Sequence, residues 1–267
     1  MNSAPLGVFD SGLGGLTVFK ALARRMPEES LVYFGDTAHV PYGSKSPRAV
    51  ERYSVAVARF LAAKGIKLLV VACNTSSALA LPAIRRAVKV PVVGVIEPGA
   101  RAALAATRGG RIGIIGTEAT VRSGAYPRVL KALGGRVKTA ARACPLFVPL
   151  VEEGWWKGVV TEEVARRYAA PLRRAHVDTL ILGCTHYPYL KPVLARVMGR
   201  GVRLIDSAEE TALQTESALA RAGLRAPSGR RGRREFYASD APERFRRLAR
   251  RMLGSSVARV RLHPFDS

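Results

Sequence analysis

Acidic residues are scarce in this chain: 20 Asp and Glu stand against 43 Lys and Arg, a formal net charge of +23 at neutral pH. Such an imbalance attracts nucleic acid or anionic membranes. Here, however, the cations are spread along the whole chain, and the abundance of arginine and alanine fits a compositional bias. The densest run, Arg230-Arg231-Gly232-Arg233-Arg234, follows Ala226-Pro227-Ser228-Gly229 and reads as a solvated loop. Nucleic acid is thus an outside candidate as partner, and an anionic small molecule gains steering in either case. Cysteine is also sparse. Three residues, with no C-x-x-C pair, exclude a disulfide framework and give zinc no support, so no metal is expected. No run of eighteen apolar residues is present, which argues against a membrane span. Met1-Asn2-Ser3-Ala4-Pro5 offers neither a basic n-region nor an apolar h-region, so a cytoplasmic address is expected. Nucleotide fingerprints are missing too. Glycines 7, 12, 14 and 15 do not fit G-x-G-x-x-G, and there is no Walker lysine.

What is present is a series of short apolar runs that end in small polar residues. Leu6-Gly7-Val8-Phe9 runs into Asp10-Ser11-Gly12-Leu13-Gly14-Gly15, and an amphipathic helix starts at Leu16. Strand, glycine-rich turn, helix is the opening of an α/β fold, whose ligands gather at the strand C-termini. Leu31–Phe34 is a second strand, followed by the loop Gly35-Asp36-Thr37-Ala38-His39-Val40-Pro41-Tyr42-Gly43, which suits a small polar ligand. A helix over 48–64 precedes the strand Leu68–Ala72, which delivers Cys73-Asn74-Thr75-Ser76. Helix over 76–88 and strand over 92–96 follow.

Then the pattern restarts. Arg111–Gly116 is a strand followed by Thr117-Glu118-Ala119-Thr120, and a helix is expected over 123–133. Residues 149–156 read as an aromatic loop, 162–174 as a helix, and Leu180–Gly183 as a strand delivering Cys184-Thr185-His186. Helix 188–197, strand 202–206, helix 209–221, strand 235–239, helix 242–253 and strand 257–262 complete the chain. Gly7 and Gly113 are 106 residues apart, and Cys73 and Cys184 are 111 apart. Two landmarks displaced by nearly equal amounts in the same order indicate duplication of an α/β unit. The fold expected is therefore α/β, with two similar domains about a pseudo-twofold axis and the active site in the cleft between them. The expected domains are 1–97 together with 208–267, and 98–207, because the last segment has no counterpart before residue 111.

In a duplicated fold, equivalent strand ends meet at the interface. Taken singly, each cysteine reads more readily as a buried packing residue than as a reactive thiol. Taken as a pair, they flank one cleft from opposite faces and suit inversion at a carbon acid. One thiolate removes a proton and the opposite thiol returns one, and a thiol's ordinary pKa of about 8.5 makes both states accessible. Helix N-termini after Cys73 and Cys184 are expected to favour the thiolate. Asp10 and His186 are candidates to hold or relay protons. Ser11, Asn74, Thr75, Thr117, Thr120 and Thr185 offer hydrogen bonds to an amino acid's charged ends. Cys144 has no repeat partner and reads as structural. Trp155 and Trp156 read as packing or dimer contacts.

Five stretches in order resemble glutamate racemase: Gly7–Gly15, Val40-Pro41-Tyr42-Gly43, Ala72-Cys73-Asn74-Thr75, Gly116-Thr117-Glu118-Ala119-Thr120, and Gly183-Cys184-Thr185-His186-Tyr187-Pro188. The closing Phe236–Asp240 is similar as well. The resemblance implies a cofactor-independent racemase interconverting L- and D-glutamate for peptidoglycan, with Cys73 and Cys184 as the proton donor and acceptor. It implies Asp10, Glu152 and His186 as their assistants, Glu152 on this ground alone. Ser11, Tyr42, Gly43, Asn74, Thr75, Thr117, Thr120, Thr185 and His186, with Asp10, are implied as substrate contacts. A homodimer is implied too. Rival readings are an aspartate or hydantoin racemase or a decarboxylase of the same superfamily, and a basic nucleic-acid-binding protein on a racemase fold.

Overall fold

Among the described residues, two parallel sheets carry the molecule, one of six strands and one of four. The structure is a computed structural model that describes residues 2–229, 231–254 and 257–265; Met1 and Arg230, named above, lie outside the described residues. In chain order the first part runs β1 (Leu6–Asp10), α1 (Leu16–Arg25), β2 (Leu31–Gly35), α2 (Pro47–Ala63), β3 (Leu68–Val71), α3 (Asn74–Leu79), α4 (Leu81–Ala87) and β4 (Val92–Gly94). The second part runs α5 (Ile96–Ala106), β5 (Arg111–Gly116), α6 (Glu118–Ser123), α7 (Ala125–Ala132), β6 (Lys138–Ala143), α8 (Phe147–Glu152), α9 (Val159–Arg174), β7 (Thr179–Gly183), α10 (Lys191–Met198) and β8 (Arg203–Ile205). The chain closes with α11 (Ala208–Arg221), β9 (Arg234–Ala238), α12 (Pro242–Leu253) and β10 (Arg261–Leu262).

The repeat extends to register. The first sheet contains the order β2-β1-β3-β4 and the second the order β6-β5-β7-β8. Gly7 lies opposite Leu69 and Gly113 opposite Leu180, so the equivalent strands pair at equivalent residues. β9 extends the first sheet beside β2, with Phe236 opposite Tyr33, and β10 lies outside it. The last segment thus adds two strands to the first sheet. Helices cover both faces, which is why β1, β2, β3 and β7 are buried along their full length and read as unbroken apolar runs.

Several expected elements change shape around glycine and proline. The helix over 76–88 starts earlier and breaks at Ala80 into α3 and α4, with Pro82 in the first turn of α4. The strand over 92–96 stops at Gly94, and Ile96-Glu97-Pro98 opens α5 instead of ending it. Proline fits a helix's first turn because its missing N–H has no intrahelical partner there. Pro149 sits likewise in the first turn of α8, where a loop was expected. The helix expected over 123–133 starts two residues later as α7, and Gly124, at φ 64, separates it from α6, which was not expected. The strand expected over 257–262 is reduced to β10. Strand β6 was not anticipated. Among the described residues it is an edge strand bonded only to β5, and its largely exposed Lys138-Thr139-Ala140-Ala141-Arg142-Ala143 carries no hydrophobic alternation.

Candidate active site

The C-terminal ends of the two sheets face one another around a small cavity of about 20 Å³. It is lined by Ser11, Val40, Pro41, Tyr42, Gly43, Cys73, Asn74, Thr75, Thr117, Val148, Cys184, Thr185 and His186. That space holds about one water, so the side chains stand nearly closed on one another and a metabolite enters only as they part. Both cysteines line it, Cys73 from the end of β3 and Cys184 from the end of β7. Of the residues expected at the site, Asp10, Glu152 and Thr120 stand behind the lining and the others in it. Among the described residues no lysine or arginine lines the pocket, despite the charge of the chain.

The surroundings of the two thiols differ. Cys73 Sγ donates to Ser11 Oγ at 3.6 Å. Burial, and after it the Asp10 carboxylate, push the Cys73 thiol up to about 11. The Ser76 N–H and the hydroxyls of Ser11 and Ser76 pull the other way and lose. The expected gain of thiolate at a helix N-terminus therefore does not hold at Cys73, because desolvation of a small anion outweighs the helix start. No α-helix starts directly after Cys184 either: a short 3-10 turn over Tyr187–Leu190 comes first. Cys184 Sγ instead meets His186 Nδ1 at 3.7 Å, and His186 Nε2 meets Glu152 Oε1 at 3.2 Å. Burial alone would lower the imidazole, yet its hydrogen bonds and charge interactions with Cys184 and Glu152 raise it to about 10. The result is a Cys184–His186–Glu152 row.

Asp10 ties the two sheets together. Its Oδ1 accepts from Thr185 Oγ1 at 3.2 Å, and its Oδ2 accepts from the Gly12 N–H at 3.0 Å. Burial raises its pKa, with the charge of His186 and three hydrogen bonds acting against that rise. Thr75, Thr117 and Thr120 form a triangle of hydroxyls across the cleft, with oxygen separations of 2.9, 3.3 and 3.0 Å. Asn74 Oδ1 accepts from Tyr126 OH at 2.7 Å, while Asn74 Nδ2 is buried without a partner.

Two close approaches escaped the sequence reading. A Cβ on Gly14 would stand 2.3 Å from Thr185 Oγ1 and 2.6 Å from His186 Nδ1. One on Gly43 would stand 2.4 Å from Thr117 Cβ. Asp36 was also missed as a site element. Its buried carboxylate accepts from Tyr42 OH at 2.5 Å and Ser239 Oγ at 2.6 Å, and meets His39 Nδ1 at 2.9 Å. Ser239, just past β9, thereby anchors the loop that carries Tyr42. Among the described residues no group of three or more His, Cys, Asp or Glu is arranged to hold a metal ion.

Residues 15–215 match the family model described as Asp/Glu/Hydantoin racemase. The chain belongs to this racemase family. The match spans Cys73, Cys184 and Thr117, with Asp10 and Ser11 just before it. Among racemases of the family, the chain is 52% identical over 255 residues to the glutamate racemase of Geobacter metallireducens, covering 96% of this chain and 94% of that one. The glutamate racemase of Thermus thermophilus, solved with beta-chloro-D-alanine, superposes with a TM-score of 0.89 at 49% identity over 98% of both chains. That of Francisella tularensis, solved with D-glutamate, gives 0.93 at 33% identity, over 100% of this chain and 99% of that one.

Proposed function

We propose that the chain racemises glutamate, exchanging the Cα proton between Cys73 and Cys184 without a cofactor. The observation that carries this reading is the pair of thiols at equivalent strand ends lining one pocket. Relatives named as glutamate racemases at 52% identity supply the substrate. In one direction the thiolate of one cysteine takes the Cα proton: the C–H bond breaks, an S–H bond forms, and the electron pair moves toward the substrate carboxylate. The opposite thiol then donates its proton to the other face of Cα. For the reverse reaction the roles exchange. By family resemblance Cys73 takes the proton from D-glutamate and Cys184 from L-glutamate.

The supporting groups have chemistry suited to these tasks. His186 and Glu152 carry the charge beside Cys184, and Asp10 acts beside Cys73. The unpartnered Asn74 Nδ2, with the hydroxyls of Ser11, Thr75, Thr117, Thr120 and Thr185, offers neutral donors to carboxylates, while Tyr42 and Gly43 close the pocket wall. Donors aimed at the substrate carboxylate stabilise the negative charge that builds on it as Cα loses its proton. The domains we assign are 1–97 with 208–267, and 98–207. The molecule is assigned a cytoplasmic address, a role in supplying D-glutamate for peptidoglycan, and a homodimeric state. Exposed Leu146, Trp155, Val159 and Val160 near α8 and α9 support a dimer contact.

Solvent deuterium uptake at Cα of L- and D-glutamate, followed with optical rotation and no added cofactor, tests the reading. Inversion of both enantiomers with exchange is expected. Absence of exchange from both would overturn it, and preferential turnover of aspartate would move the substrate to a sister racemase.

A further inference from the structure

The orphaned Asn74 amide poses a question of orientation. An asparagine side chain presents an acceptor and two donors that are nearly the same shape, and only one orientation leaves a donor for a ligand carboxylate. Asn74 lines the pocket from the first residue of α3, with its Nδ2 buried and unpartnered. Its Oδ1 is engaged by the hydroxyl of Tyr126, which lies on α7, under the second sheet. Tyr126 is only 1% exposed. A buried phenol must donate its proton, and burial pushes its ionisation far above the ordinary range. Asn74 Oδ1 takes that proton, and a flipped amide would leave both the phenol proton and Oδ1 unsatisfied.

We propose that Tyr126 is a positioning residue that fixes the Asn74 amide with its donor toward the substrate. This inference rests on the racemase reading above. The seat of Tyr126 is built at a cost. Gly99 lies inside α5, where glycine weakens a helix relative to alanine. A Cβ there would approach the Tyr126 hydroxyl to 3.3 Å, tighter than ordinary contact. Gly183, the residue before Cys184, also borders the ring: a Cβ there would meet the Ile115 carbonyl oxygen at 2.8 Å and Tyr126 Cε2 at 3.0 Å. The contact also crosses between the two units. The donor offered by the first unit is therefore aimed only when the second unit is packed against it.

The test is a double-mutant cycle with Tyr126→Phe and Asn74→Ala, reading kcat and KM for both enantiomers after the wild-type protein has been shown to racemise glutamate. Tyr126→Phe is expected to raise KM about tenfold in both directions and to leave kcat within about threefold, since a ground-state hydrogen bond is lost. In the Asn74→Ala background the same change should have no further effect. Multiplicative effects in the double variant, or an effect of Tyr126→Phe on kcat alone, would overturn the proposal. Gly99→Ala gives a second route that keeps the phenol. It should raise KM severalfold by displacing the hydroxyl, and an unchanged KM would count against the proposal. An inactive wild-type protein would instead overturn the racemase reading itself, so the two failures are told apart.

Discussion

Replacing Glu152 with glutamine keeps the shape of the carboxylate and removes its charge from His186 Nε2. The imidazole stands at about 10 against an ordinary 6.5, a preference for the charged form of about 5 kcal/mol at 1.36 kcal/mol per pKa unit. Burial opposes that preference, so Cys184 and Glu152 together supply more than the net amount. With Glu152 neutral, only Cys184 remains, and the imidazole should lose its proton at least one pH unit lower. The sign for stability follows from linkage. A histidine raised on folding stabilises the protein fully below the unfolded value of 6.5, and that contribution disappears as pH rises through about 10. Wild-type melting temperature should therefore fall as pH rises from 6.5 to about 10, and in Glu152→Gln the fall should begin at the same pH, end lower and be smaller in total.

Kinetics gives a sharper reading. Enantiomers in water have equal free energy, so kcat/KM must be the same in both directions for any variant. Glu152→Gln should therefore lower kcat/KM equally for L- and D-glutamate, by roughly 10²-fold if proton transfer at Cys184 depends on the row. The asymmetry should appear in the Cα-deuterium isotope effect. It should grow in the direction in which Cys184 removes the proton, because that transfer becomes slower. The alkaline limb of the rate profile should shift down with the imidazole, as read by histidine-selective NMR titration. An unmoved titration with unchanged kcat/KM would refute the view that Glu152 acts through His186.

Further outcomes follow from the same geometry. Cys73→Ala and Cys184→Ala should each reduce racemisation by at least about 10³-fold; near-normal turnover in either would require a single-base scheme. In a Cys144→Ser, Cys184→Ser background, iodoacetamide should alkylate Cys73 about tenfold faster per pH unit up to about 11. Asp10→Asn should move that profile down, since the Asp10 charge opposes the thiolate, and an unmoved profile would contradict this cause. Gly14→Ala should raise KM and lower stability by about 1–3 kcal/mol, because its Cβ would invade Thr185 and His186; an unchanged denaturation midpoint would count against that close approach.

The duplicated strands were legible because parallel strands covered on both faces must be apolar throughout, and their ends are marked where small polar residues take over. Gly7 with Gly113 and Cys73 with Cys184 therefore announced a repeat that the register of β1–β3 and β5–β7 reproduces. What was not legible depends on partners distant in sequence. β6 has polar faces because it is an exposed edge, so periodicity had nothing to detect. Gly14 reads as a turn residue until Thr185 and His186 are seen against it. The rise of the Cys73 thiol comes from burial and from Asp10, neither of which a local reading of Cys73-Asn74-Thr75 contains. Likewise the hydrogen bond from Tyr126 to Asn74 spans 52 residues.

The repeat supplies symmetry only as far as the sulfur atoms. Opposed bases at equivalent strand ends are what inversion of a carbon needs, and duplication of one strand-and-turn unit provides both at once. The substrate, however, is not symmetric: its ammonium, carboxylate and side chain need three different seats that both enantiomers share while Cα passes from one face to the other. Those seats cannot obey the pseudo-twofold axis, and the groups around the thiols accordingly do not. Cys73 is backed by Asp10 and Ser11, while Cys184 is backed by His186 and Glu152. The hydroxyl triangle draws one threonine from the first unit and two from the second. Since the two directions must have equal kcat/KM, this asymmetry cannot favour either enantiomer at equilibrium. It determines only how the barrier is divided between the two proton transfers, which is why the isotope effect in each direction is the quantity most sensitive to the residues behind each thiol.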